Sequence, residues 1–440
     1  MPNWPTTAPS PRESTLAVSL LRRPSFLLLV VIVFMGTSIR LYFFNPGIAR
    51  TPDERTYTLQ ANVILSQGYA GLTALGQNLV RDPVHLAPAP SPARVGYLTL
   101  LAASMQLTGD KTPLAGAQLS LLCSLGALVL VAFIAGRALT PSASIVATLL
   151  YAVFPFELTT YRRAWQDSFI ALIALVVVSV ALFIARTHSL RRAAGFVSFF
   201  FVGVLSITTK ENLGIYFMLC AAGLALHFIL NRDRRSAILT ASCATAAGVV
   251  SLAVFASIFG GIAGYIALER AFTHYALLGV YDMQFNTGPA WMFPAGFIRA
   301  CPVQVITALL GFTAILYPAL RSRSLSSAGF GVGISLLTLC TIAIQLATTS
   351  YNFRYSAPAY GLICLLAGIG VEAILPKLRD LLSPLGSAAT WAILGFALSV
   401  AALRDFNYAR DNFLLPGKQD LALRTVLGVA PLAIPPGYPR

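Results

Sequence analysis

The sequence predicts an all-α, polytopic helical membrane protein, and three observations carry that reading. Hydrophobic residues make up 57% of the 440 residues and charged residues only 11%, with a mean hydropathy of +0.74; soluble globular domains carry about twice that share of charge. Apolar runs close to the length that crosses a bilayer recur along the chain. The arginines fall in short clusters between those runs, so the net charge of +15 reads as topology signals and phosphate partners rather than as a nucleic-acid-binding face.

Taken in order, residues 1–24 are rich in Pro, Ser and Thr and end near Arg22 and Arg23, the composition of a flexible basic cytoplasmic arm. The run 25–44 is long, and many spans follow it, which favours a retained span over a cleaved signal peptide. An external loop, 46–112, comes next. Within it, 95–108 is apolar but short and follows Pro83, Pro88, Pro90 and Pro92, so it predicts a juxtamembrane helix. Further spans are predicted over 114–136, 141–158, 167–185, 193–209, 212–230, 237–259, 297–319, 325–347, 356–375 and 387–403, about eleven in all. A transmembrane domain at 25–403 thus carries external loops 46–112 and 260–296, and a short external tail follows at 404–440. There is no internal repeat. The six cysteines show no paired spacing and read as free, buried and structural.

With Arg22 and Arg23 inside, the loops around Arg137, Arg186/Arg191/Arg192, Arg232/Arg234/Arg235, Arg321/Arg323 and Lys377/Arg379 become cytoplasmic, as the positive-inside rule expects. The opposite side then collects TPDERTY (51–57), YRRAWQD (161–167), TTKEN (208–212), the loop 260–296 and YNFRYSAP (351–358). Charges retained at span ends on one face point to a shared polar cavity.

Each island offers a different group. Asp53 and Glu54 form an acidic pair just past the first span. Arg163 and Asp167 are four apart, a spacing that either pairs them on one helical face or aims the Arg at phosphate and the Asp at a metal or hydroxyl. Lys210 breaks two apolar runs and serves either as a point charge for phosphate or as a snorkelling partner of Glu211. Arg354 and Tyr355 precede Pro358 and set a guanidinium at the start of a span. Tyr57, Arg94, Tyr355 and Asp282 are further candidate substrate contacts, and Tyr281, Asn286 and Trp291 suit either sugar binding or an interfacial belt.

This ordered set resembles the GT-C superfamily of integral-membrane glycosyltransferases, and in particular bacterial relatives of protein O-mannosyltransferases and aminoarabinose lipid A transferases, over most of residues 25–375. The resemblance implies a GT-C-like fold and a lipid-phosphate-linked sugar donor. It makes Asp53 the principal catalytic carboxylate and Asp167 a second, with Lys210 and Arg354 holding the donor phosphate. Arg55 and Glu211 stand where many relatives have small residues, which leaves the subfamily and the sugar open.

The expected reaction moves a hexose or pentose from a polyprenyl-phosphate donor to an acceptor hydroxyl on a lipid, glycan or protein, at the outer face of the cytoplasmic membrane. Asp53 would act as general base, with Glu54 orienting it or binding sugar. Lys210, Arg354 and Arg163 would stabilise the leaving phosphate. The sequence identifies no certain cofactor. A divalent metal on Asp53 and Asp167 is an open alternative, with His85 and His274 as the imidazoles that could join. A multispan transporter or lipid flippase, and a scaffold of envelope assembly, are the competing classes.

Overall fold

A threonine followed by a proline opens helix after helix in this chain. Thr51, Thr112 and Thr140 take extended backbone at N-cap positions, and Pro52, Pro113 and Pro141 begin the helices that follow. The cap oxygen can satisfy a first-turn N–H, and proline fixes the helical φ where no donor is needed. The computed structural model describes residues 24–433 apart from 46, 49, 87–88, 276–278, 323–328, 348–350, 383–386 and 416–420. Nearly all of the proposed basic arm therefore lies outside the described residues.

The elements are α1 (Pro24–Phe43), α2 (Pro52–Gln67), α3 (Tyr69–Arg81), α4 (Val95–Thr108), α5 (Pro113–Ala138), α6 (Pro141–Ala152), α7 (Asp167–Arg186), α8 (Ser189–Thr209), α9 (Glu211–Leu230), α10 (Arg234–Ile258), α11 (Ile262–Tyr275), α12 (Met292–Ala300), α13 (Pro302–Ser322), α14 (Gly329–Leu346), α15 (Tyr360–Leu382) and α16 (Ser387–Ala409). Among the described residues there is no strand, only an antiparallel bridge between Asn352 and Ala422. The chain is a multi-pass helical membrane protein.

Every predicted span coincides with a helix, but the count of about eleven is not reached by length and apolarity. Among the described residues eight helices meet both requirements, or nine if a bent pair is one span. The bent pair corrects the straight span expected at 297–319: α12 and α13 meet at 111°, because Pro302 has no N–H to continue α12. Pro155 similarly interrupts the predicted span at 141–158, which resumes as the short helix Pro155–Thr160. The predicted short helix is α4, 14 residues long. Within 46–112, α2 and α3 are further helices.

α15 packs against α13 and α6, and α7 against α5 and α8. At Gly370 an added Cβ would lie 1.8 Å from Thr307 O, so α13 and α15 cross nearly backbone to backbone, as small residues allow in membranes. The described part of the predicted tail, after 404, is hydrogen-bonded to the rest of the chain. α16 runs on to Ala409, and Phe353 N donates to Leu421 O at 3.1 Å while Leu432 N donates to Gln284 O at 3.0 Å. All six cysteines are free, three of them buried.

Candidate active site

Asp53 and Glu54 are adjacent in sequence and face opposite tasks. Glu54 is the third helical residue of α2, and its carboxylate reaches back to Thr51 N at 2.7 Å and Thr51 Oγ1 at 3.1 Å, a capping box. It also accepts from Arg50 Nη1 at 3.1 Å, Arg163 Nη1 at 3.1 Å and Ala164 N at 2.8 Å. With no exposed surface, it is fully engaged in tying α2 to the turn before α7. Asp53, one residue earlier, is 37% exposed and turns to the open side.

That turn, 161–166, places Arg163 and Trp165. Arg163 pairs across the chain with Glu54, and burial pushes its guanidinium pKa down. Trp165 donates from Nε1 to Thr51 Oγ1 at 3.2 Å, and Arg354 Cζ lies 3.9 Å from its ring centroid. Trp165 is thus the wall on which the key arginine rests, by a cation–π contact.

Arg354 is held from behind by an aromatic plug. Phe353 stacks between Phe156 at 4.8 Å and Phe293 at 5.0 Å. Gly296 admits the Phe353 ring, since a Cβ there would meet it at 2.2 Å. Asn352 Oδ1 accepts from Arg354 N at 3.1 Å, and Asn212 Nδ2 donates to Tyr355 O at 2.9 Å. The short 3-10 turn Phe353–Ala359 therefore presents its Arg rigidly.

Four predicted residues, each from a different island, meet here. Arg354 donates from Nη1 to Asp53 Oδ2 at 3.0 Å and from Nε to Asp167 Oδ2 at 2.9 Å, so one guanidinium bridges both carboxylates. Lys210 Nζ lies 4.0 Å from Asp167 Oδ1 and 4.5 Å from the centroid of the Tyr355 ring. Asp167 is fully buried, and Lys210 and Arg354 show only 6% and 11% of their side chains. Lys210 sits where extended backbone separates α8 from α9, and burial pushes its ammonium down to about 8. Beside them Arg94 donates to the Tyr57 hydroxyl and lies over the Phe272 ring. Asp282 Oδ1 accepts from Asn286 Nδ2 at 2.5 Å.

Other candidates stand apart or take another role. Arg163 serves the Glu54 latch. His85 pairs with Asp82 at 2.8 Å, both well exposed, and His274 packs edge-on to Tyr275. Among the described residues no three His, Cys, Asp or Glu side chains are placed to hold a metal ion. Two residues escaped the sequence reading. Trp165 lay unmarked between Arg163 and Asp167, and Glu269 lay in an amphipathic stretch of the loop 260–296. Burial first, then Glu211, pushes Glu269 up to about 7, opposed by Arg94.

No protein-family model matches the chain, and no curated protein matches it in sequence. Solved structures do match. The chain is similar to the archaeal oligosaccharyltransferase AglB from Archaeoglobus fulgidus in complex with an inhibitory peptide and a dolichol-phosphate, with a TM-score of 0.59 and 13% identity over 93% of this chain and 57% of that one. It is also similar to ArnT from Cupriavidus metallidurans in the apo state, with a TM-score of 0.53 and 16% identity over 91% of this chain and 75% of that one. The ArnT structure bound to undecaprenyl phosphate matches with a TM-score of 0.52 at 14% identity, over 91% of this chain and 77% of that one.

The chain has the GT-C fold. AglB and ArnT are both GT-C membrane glycosyltransferases, so the architecture implied by the sequence resemblance is the one observed. The chain spans little more than half the length of AglB, 57%. At these identities the likeness carries architecture, and residue roles rest on the site itself.

Proposed function

We propose that this GT-C chain is a glycosyltransferase that moves a sugar from a polyprenyl-phosphate donor to an acceptor hydroxyl, with its site at the outer face of the cytoplasmic membrane. The observation that carries the reading is the convergence of Asp53, Asp167, Lys210 and Arg354, drawn from four islands, on one end of the bundle. A fold shared with a structure that binds undecaprenyl phosphate supports the lipid donor.

Asp53 is the exposed carboxylate of the group and is placed to take the acceptor proton as the hydroxyl attacks the anomeric carbon. Arg354 and Lys210 supply preplaced positive charge for the phosphate as its bond to the sugar breaks. Asp167 contacts both cations and is buried, so we assign it the job of aiming them. Glu54 and Arg163 position α2. Tyr57, Arg94, Tyr355 and Asp282 are our candidates for sugar or acceptor contacts. A divalent ion bridging Asp53 and Asp167 would have to displace the guanidinium that already does so, and neither His85 nor His274 joins them; we propose transfer without a metal.

The test is transfer of labelled sugar from a polyprenyl-phosphate donor by purified, reconstituted protein. Transfer that is lost in Asp53→Asn and insensitive to chelator is expected. A parent that transfers nothing from any hexosyl or pentosyl polyprenyl phosphate would overturn the reading in favour of transport.

A further inference from the structure

The external loop and the turn that carries Arg354 are joined through two buried asparagines. Asn286 ends the short turn Asp282–Asn286, and Asn352 caps the 3-10 turn of Arg354; they are 1% and 4% exposed. Asn286 Nδ2 donates to Asp282 Oδ1 at 2.5 Å, and Asn286 Oδ1 accepts from Asn352 Nδ2 at 3.4 Å, the longest of the links. Asn352 Oδ1 accepts in turn from Arg354 N at 3.1 Å. A path of hydrogen bonds therefore runs from the Asp282 carboxylate to the backbone of Arg354. Its direction is fixed, because an ionised carboxylate only accepts and a backbone N–H only donates. Turning either amide over would set donor against donor and acceptor against acceptor.

Other bonds fasten loop and turn without those two side chains. Tyr351 N donates to Asn286 O at 2.8 Å, Phe353 N to Leu421 O at 3.1 Å and Leu432 N to Gln284 O at 3.0 Å. Arg424 Nε donates to Thr287 O at 3.1 Å. The described chain after 420 thus grips both the loop and the Arg354 turn, and this corner does not depend on the asparagine amides for its fold. Buried amides are costly unless bonded, and an apolar pair of the same shape can replace a bonded polar pair at little cost. The amides therefore call for a reason beyond packing.

We infer that Asn286 is a positioning residue for the phosphate site. Through Asn352 it sets the backbone from which Arg354 reaches Asp53 Oδ2 at 3.0 Å and Asp167 Oδ2 at 2.9 Å. Hydrogen bonds are directional, so a guanidinium that must meet two carboxylates at once tolerates little movement of its own backbone, and displacements of about 1 Å cost steeply at a reacting site. Asp282 stands at the other end of the path, so the loop proposed to meet sugar or acceptor and the cation proposed to meet phosphate are held in register by one set of bonds. The consequence for the donor rests on the proposed phosphate site; the control of Arg354 does not.

Binding of decaprenyl phosphate to the full-length protein reads that consequence without requiring transfer. Asn286→Ala removes the amide and should weaken binding roughly 10-fold; parent-like binding would overturn the positioning role. Loosened packing would give the same loss, and an exchange of partners separates the two. Asn286→Asp alone sets two carboxylates against each other and should weaken binding at neutral pH. Adding Asp282→Asn to it places one amide donor before the new carboxylate and should return binding to within about twofold of the parent. A double variant as weak as Asn286→Asp would overturn the role. In an Arg354→Lys background Asn286→Ala should add little, because both act through one group, and an equal loss in both backgrounds would also overturn it. A high-resolution map of Asn286→Ala should show the Arg354 guanidinium drawn away from Asp53 or Asp167; an unmoved guanidinium would refute the control of Arg354. A parent that binds no decaprenyl phosphate would defeat the donor reading instead, and the map would still decide whether Asn286 sets Arg354.

Discussion

The two ends of α7 hold charges in opposite ways. At its start, Asp167 is fully buried and shares Lys210 and Arg354, which are nearly buried themselves. At its finish, Arg186 is exposed and donates to Arg137 O at 3.1 Å, among exposed Arg191, Arg234 and Arg235. The ion pair there, Arg192 with Asp233 at 2.7 Å, keeps 17% and 33% of its side chains open to solvent. A solvated charge costs little to keep, whereas removing ions from water costs several kcal/mol each. Charge at the far end needs only to mark topology; charge at the near end has to be held in place by partners and is explained by chemistry.

Breaking the near end should therefore produce the largest effects. Asp53→Asn keeps size and hydrogen bonding but removes the base, and we expect turnover to fall on the order of 100-fold or more while expression and donor binding survive. Parent-rate transfer by this variant, measured with labelled donor at matched protein levels, would remove the base from this loop. Arg354 comes next, and the structure changes how it must be tested. Its Ala variant leaves the buried Asp167 with only Lys210, 4.0 Å away, and breaking a buried pair costs about 3–5 kcal/mol, so impaired folding would obscure catalysis. Arg354→Lys retains charge but not the two-pronged bridge, and should cost transfer about 10-fold in a protein that still folds; undiminished transfer would mean that the bridge does not matter.

Much of this comparison was legible in the sequence. Apolar run length marked each helix of the bundle, and charges at span ends marked Asp53, Asp167, Lys210 and Arg354, because a hydrophobic background makes a charge conspicuous. What the pattern could not resolve depends on distant partners. Asp53 and Glu54 differ in role because Arg163 and Ala164 N, more than a hundred residues on, close over Glu54. The bend at Pro302 was hidden because proline both starts and breaks helices. Glu269 was missed because, besides burial, the charges that shift it, Glu211 and Arg94, come from other parts of the chain.

Glu54 sharpens the contrast within the near end. Glu54→Gln removes the charge from a buried pair with Arg163, and should lower stability by about 1–3 kcal/mol with a smaller effect on turnover than Asp53→Asn. Denaturant unfolding beside transfer kinetics separates the two; an equal kinetic loss would mean that Glu54 itself takes the acceptor proton.

Lys210 gives a milder, pH-dependent effect whose sign differs between two measurements. Its folded pKa, lowered by burial to about 8, lies below its ordinary 10.5. Below pH 8 both folded and unfolded chains hold the proton. Between these values the unfolded chain binds more protons, so this residue's contribution to stability rises with pH. Over the same window the ammonium is lost in the folded site, and the KM for the donor should rise severalfold. Lys210→Arg should abolish that rise, because guanidinium keeps its charge. A pH-independent donor KM in the parent would show that Lys210 does not hold the phosphate.

The far end should give the smallest effect, and it is the control on which the comparison depends. Arg192 reaches the Asp233 carboxylate, which also accepts from Ser236 N at 3.1 Å and Ser236 Oγ at 2.8 Å and is held below the usual carboxylate range chiefly by those two bonds. Because Ser236 satisfies Asp233 locally, removing Arg192 strands no buried charge. A double-mutant cycle on Arg192→Ala and Asp233→Ala should give a coupling of about 1 kcal/mol or less, shrinking with added salt, and neither variant should change transfer. Reagent labelling checks the sidedness proposed for the two ends: Thr56→Cys should react from outside intact cells and Arg191→Cys only after permeabilisation. A salt-insensitive coupling as strong as that of a buried pair would make this end structural as well. Labelling of position 191 alone from outside would turn the site toward the cytoplasm, where an outward-facing lipid donor could not reach it.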